Sequence, residues 1–123
     1  MNRNFLKIAE SIKGDLIDIR RDFHRHPELG YEEKRTSGKI KEFLKSLGIE
    51  YRETADTGVC AVIRGVGNKT IGIRADMDAL PLQDKKNCSY CSQVKGKMHA
   101  CGHDAPVSYT HSPSPRDGAT SRM

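Results

Sequence analysis

Long apolar runs are absent from this 123-residue sequence. A membrane-spanning helix needs about 20 consecutive apolar residues, and no such stretch occurs. Residues 1–13 carry a charge every few positions, so they lack the apolar core of a secretory signal. The expected setting is the cytoplasm, with no membrane partner. Runs of like charge are also missing. The 21 Lys and Arg and 16 Asp and Glu are interspersed, as at Lys39, Lys41, Glu42 and Lys45, and leave a net charge of +5. Aromatic residues are few, with four Tyr, three Phe and no Trp. Nucleic-acid surfaces cluster bases and add stacking aromatics, so this charge reads as a solvated surface and no nucleic-acid partner is expected. Internal repeats are absent. Cysteine is sparse, at four residues. In a reducing compartment such thiols are metal-linked, reactive or buried rather than disulfide-bonded.

What is present divides into two unlike parts. Apolar residues make up 36% of the chain, below the ~45–50% of ordinary globular domains, because residues 106–123 dilute residues 1–105. Phe5, Ile8, Ile12, Leu16, Ile19 and Phe23 recur every three or four positions, which predicts an amphipathic helix. His26-Pro27 should end it, since the residue before proline avoids helical angles. A second helix is predicted from Glu32 to Leu47, with Ile40, Phe43, Leu44 and Leu47 as its buried stripe and Gly48 as its cap. The period then changes. Ile49 to Thr54 reads as a strand, and so do Val59–Ile63 and Thr70–Asp76. The glycines and asparagine of Gly65–Lys69 predict a turn joining the last two as a hairpin. Two helices followed by three strands open an α/β or α+β domain whose sheet needs more strands. Asp84 to Lys97 is polar and reads as a surface loop. Residues 106–123, with Ser112-Pro113-Ser114-Pro115, show no periodic apolar face and are expected to be disordered.

Met98-His99-Ala100-Cys101-Gly102-His103-Asp104 concentrates thiol, imidazole and carboxylate. In an extended segment Cys101 and His103 would leave the same side of the backbone and could grip one metal ion. A buried thiol beside a structural histidine is the other reading. Zinc needs three or four ligands, so the rest must come from elsewhere. Asp76 and Asp78 end the third predicted strand, where they could bind metal, orient a metal-binding histidine or simply cap a turn. Cys88-Ser-Tyr-Cys91 is a second thiol pair. With Cys101 and His103 it gives four soft ligands, the basis of an alternative reading as a small non-catalytic zinc module. Cys60 lies mid-strand and reads as a packed core thiol. His24, His26 and Glu28 read as part of a loop packed on the domain, and His99 and His111 have no evident partner.

Three separated stretches carry a resemblance. Arg20-Arg21-Asp22-Phe23-His24-Arg25-His26-Pro27-Glu28-Leu29-Gly30, Arg74-Ala75-Asp76-Met77-Asp78-Ala79-Leu80-Pro81 and Lys97-Met98-His99-Ala100-Cys101-Gly102-His103-Asp104-Ala105 resemble, in order and spacing, the metal-dependent amidohydrolases. That family includes hippurate hydrolase, N-acyl-amino-acid amidohydrolases and auxin-conjugate hydrolases, within the zinc-aminopeptidase-like metallopeptidases. The resemblance covers roughly residues 5–105. It implies the N-terminal part of an α/β catalytic domain with an incomplete sheet, and hydrolysis of the amide bond of N-acyl amino acids. It implies Cys101 and His103 as metal ligands and Asp78 as the catalytic-site aspartate that steadies them. The cofactor implied is a divalent metal, Zn, Mn or Co, with two per complete site. Family members often dimerise through a smaller inserted domain missing here.

The sequence also departs from the family. A histidine usually follows Cys-Gly-His-Asp-Ala and a helix begins there, whereas this chain has Pro106. The family's Glu-Glu pair, which supplies the proton shuttle, and its later histidine ligands are missing. We therefore expect a truncated or frameshifted, inactive piece interrupted near codon 105. Translating the downstream DNA in the other two frames should reveal a Gly-rich helix and a Glu-Glu pair; a continuation without them overturns the interruption.

Overall fold

The computed structural model describes residues 5–105. The tail from 106 to 123, expected to be disordered, and His111 lie outside the described residues. Among those described, the elements run α1 (Phe5–Arg25), α2 (Lys34–Ser46), β1 (Tyr51–Thr54) and β2 (Gly58–Ala61). This is a partial sheet beside two helices, the opening of an α/β domain as the sequence predicts. No described helix is long and apolar enough to cross a membrane.

α1 ends one residue before His26-Pro27, as the proline requires. α2 starts later than expected: Glu32 and Glu33 precede it rather than forming its first turn. Glu33 is buried and accepts from the Thr57 hydroxyl at 2.8 Å, tying α2 to the hairpin. The open N–H groups of α2 are met instead by Glu28. Its Oε1 accepts from Arg35 N–H at 3.0 Å and its Oε2 from Thr36 N–H at 2.8 Å. A carboxylate at this end also suits the helix dipole. At the other end, Gly48 takes φ +66°. Its N–H donates to Lys45 O at 3.0 Å, and the Ile49 N–H donates to Leu44 O at 2.9 Å. Together these make a Schellman cap. Asp22 on α1 and Arg35 on α2 clamp the helices, with Arg35 Nη2 2.8 and 2.9 Å from the two carboxylate oxygens.

The predicted hairpin is corrected. β2 pairs antiparallel with β1, with Tyr51 opposite Ala61 and Thr54 opposite Gly58. Residues 70–76 form no strand, and Ile71 and Ile73 are exposed. Three residues close the β1–β2 loop, whereas the predicted hairpin needs a longer one and more closure entropy. Ala55 and Asp56 turn that loop with φ +48° and +63°, the handedness tight hairpins favour. Gly58 is required there, since a Cβ would meet Thr54 O at 2.6 Å.

The apolar stripes form but remain largely uncovered. Phe43 and Leu47 are more than half exposed, which corrects the expected buried stripe of α2, and Phe5, Ile8 and Ile12 of α1 are also exposed. The buried hydrophobic core of the described residues is Phe23 and Ala79. Ile19, Phe23, Ile40, Phe43, Leu44 and Val59 instead line an open cavity of about 1200 Å³. A two-stranded sheet is too narrow to cover two helix faces.

Three further segments are stitched together without forming strands. Ala79 N–H donates to Glu28 O at 2.7 Å, and Leu80 and Met98 exchange backbone bonds at 2.9 and 3.1 Å. These links place residues 78–80 between the end of α1 and the Cys101 segment. Replacing Glu28 with Ala should destabilise the fold by about 1–2 kcal/mol, the usual cost of a lost helix cap. Urea unfolding followed by circular dichroism measures it, and Glu32→Ala, at an exposed site, is the control.

Candidate metal centre

The third motif enters through the Leu80–Met98 pairing and then turns sharply. Gly102 has φ +79°. That corrects the extended reading of Cys101 and His103: the backbone between them is not extended, so simple alternation no longer sets their directions. Cys101 is exposed and carries a free thiol. His103 is half-buried, and its Nδ1 lies 2.9 Å from Asp78 Oδ1. A carboxylate on Nδ1 holds the proton there and leaves Nε2 with its lone pair outward. Asp78 therefore meets the imidazole across 25 residues of sequence, while Asp76 pairs with Arg74 at 2.8 Å on the surface.

A thiol and a carboxylate-oriented imidazole on one turn are donors that suit zinc or cobalt, whereas manganese favours oxygen donors. They number two. Among the described residues no group of three or more His, Cys, Asp or Glu stands ready to hold a metal ion. The alternative zinc module is therefore corrected. Cys88 and Cys91 are joined only through their own turn, Cys91 N–H to Cys88 O at 3.3 Å, and do not converge with Cys101 and His103. The reason is geometric: the 84–97 loop is folded around Asp84 rather than around the thiols. Cys60 is partly exposed on a sheet edge, not packed in a core.

His24, His26 and Glu28 serve separate tasks. His26 Nδ1 donates to Asp22 O at 2.8 Å, closing the last turn of α1. Glu28 caps α2. His24 is buried at 3% exposure and bonded through Nδ1 to Asp104 Oδ2 at 2.7 Å. Its Nε2 lies 2.7 Å from Lys86 Nζ. An ammonium can only donate, so Nε2 accepts and Nδ1 carries the proton. Asp104 is fully enclosed and also lies 3.4 Å from Arg20 Nε. His99 is buried too, its ring centroid 6.4 Å from that of His24. Burial pushes its imidazole below the usual range, Asp104 pulling the other way and His24 and His103 adding to the drop. Neither ring nitrogen of His99 has a hydrogen-bond partner among the described residues.

Sequence reasoning also missed Asp84. It is buried and accepts from Ser92 N–H at 2.9 Å and Lys86 N–H at 3.0 Å. The bond to the residue two places on is an Asx turn, a local signal that an Asp in a polar loop can give. These two backbone donors, with the charge of Lys86, outweigh burial and hold its carboxyl below the usual range.

Residues 72–108 match the sequence profile of Peptidase family M20/M25/M40. Hippurate hydrolase of Campylobacter jejuni is 46% identical over 103 residues, covering 82% of this chain and 27% of that protein. Thermostable carboxypeptidase 1 of Saccharolobus solfataricus is 43% identical over 112 residues, covering 83% and 28%. The crystal structure of the Bacillus subtilis YXEP protein, described as a dinuclear metal-binding peptidase from the M20 family, superposes with a TM-score of 0.75 at 43% identity, covering 80% of this chain and 29% of that one. The chain thus spans about a quarter of the length of the curated relatives it matches.

The Asp84 carboxyl gives a pH prediction. Its folded value lies below its ordinary 3.8, so its stabilisation is fully present above that value and is lost as pH falls toward the folded one. Asp84→Asn should lower stability at neutral pH and flatten its fall in acid, read from urea midpoints across the acid range.

Proposed function

Because the chain belongs to the M20/M25/M40 peptidase family, we propose that it carries one half of the metal centre of an amidohydrolase acting on N-acyl amino acids. The observation that carries this reading is the Asp78–His103 hydrogen bond of 2.9 Å, beside the exposed Cys101 thiol. In this reading the Cys101 thiolate and His103 Nε2 hold a divalent metal, zinc, manganese or cobalt. Asp78 keeps the His103 proton on Nδ1 and so presents Nε2 as the ligand. A metal pair bound there supplies Lewis acidity to the amide carbonyl and a water acidic enough to attack it. The substrate class follows hippurate hydrolase, whose name denotes an N-acyl amino acid. The similarity to a carboxypeptidase favours, as a second reading, removal of a C-terminal amino acid from a peptide.

Two donors fall short of the three or four a catalytic site uses, so the 123-residue chain alone should be inactive. Purified chain assayed with hippurate and with a peptide, each with Mn²⁺, Co²⁺ or Zn²⁺, should give no turnover above the metal-only blank. Clear turnover overturns the half-site reading. Metal titration gives the second test. Cys101→Ser should abolish thiolate-linked cobalt absorption, whereas Cys88→Ser and Cys91→Ser should leave cobalt affinity unchanged. The reverse pattern restores the zinc-module reading.

A further inference from the structure

Outside the donors themselves, a buried charged cluster joins α1, the 84–97 loop and the Cys101 segment. We propose that His24 and Asp104 form a positioning pair that sets the Cys101–His103 turn for metal capture. The proposal rests on the reading of Cys101 and His103 as metal ligands.

The turn needs such a pin. Gly102, at φ +79°, separates the two donors, and glycine leaves the backbone free to take other angles. The entry to the turn is fixed by the Leu80–Met98 backbone pair, and the His103 ring is fixed by Asp78. The exit is fixed at Asp104, the residue after His103. Its carboxylate is fully enclosed, so it must stay where its donors are. The nearest donor is His24 Nδ1 at 2.7 Å, on the last turn of α1 and 80 residues away in sequence. Lys86 Nζ, 2.7 Å from Nε2, fixes the tautomer that makes Nδ1 the donor. Asp84, 3.6 Å from the same Nε2, holds the loop that carries Lys86. A short chain of bonds thus runs from α1 to the backbone of a metal ligand. Removing one orienting partner of a metal site usually costs 10–100-fold in metal affinity.

The test uses the full chain and Co²⁺, read by the thiolate-to-cobalt charge-transfer band, with helix content followed in parallel by circular dichroism. His24→Leu removes the donor. His24→Asn keeps an N–H near the place of Nδ1. The expected result is cobalt affinity about 10-fold lower or worse in His24→Leu, near wild type in His24→Asn, and an unchanged helical signal in both. Three results overturn the proposal: His24→Leu binds cobalt like wild type; His24→Asn is as weak as His24→Leu; or His24→Leu loses helix, which makes the pair an anchor of the fold. A wild-type chain whose cobalt spectrum equals that of Cys101→Ser defeats the ligand reading itself, and the positioning pair falls with it. That failure is recognisable because it appears before any change at His24.

Discussion

An enclosed carboxylate is the constraint on which this structure turns. Asp104 has no solvent exposure, and a charge withdrawn from water must be answered by donors. His24 answers at its Oδ2 at 2.7 Å and Arg20 at 3.4 Å, both from α1, while Oδ1 has no hydrogen-bond partner among the described residues. The C-terminal half of α1 must therefore lie against the segment carrying Cys101 and His103. Asp84 imposes a similar demand nearby, folding the loop between the second and third motifs around its two oxygens. Polar demands of this kind are directional, whereas apolar burial is not. Among the described residues the buried hydrophobic side chains are Phe23 and Ala79, so direction comes from the buried polar groups.

Local features were legible in the sequence because their causes are local. The spacing of Phe5 through Phe23 specified α1, and the proline after His26 specified where it stops. Gly48 announced the end of α2. The start of α2 was less legible, because its cap comes from Glu28, before the helix, across the turn that Glu32 N–H closes onto Leu29 O. The hairpin was misread for a related reason. Thr70–Asp76 has the residue types of a strand, but strand character is realised only beside a partner, and this segment pairs with no strand among the described residues.

The site shows the same division. The three motifs identified Cys101, His103 and Asp78, yet the sequence could not say that Asp78 would meet His103 through Nδ1. Nor could it say that His24 would find Asp104 rather than join His26 and Glu28. Contacts made across such distances depend on how α1 lies against the rest, which no window of sequence contains. Asp84 differs, since its turn with Lys86 is a two-residue affair and was readable in principle. The grouping of three thiols and one imidazole failed because ligand type and spacing permit a zinc module without compelling the loop to fold as one.

The hairpin has a consequence of its own. Among the described residues β1 and β2 pair only with each other, so there each leaves an outer rim of backbone donors and acceptors. Alongside lie bare side chains such as Val62, Ile63 and Ile71. Open rims beside oily residues are templates on which another polypeptide can zip itself. In a crowded cell, such a segment is a natural client for chaperones and proteases, and its lifetime there depends on how soon those rims are occupied.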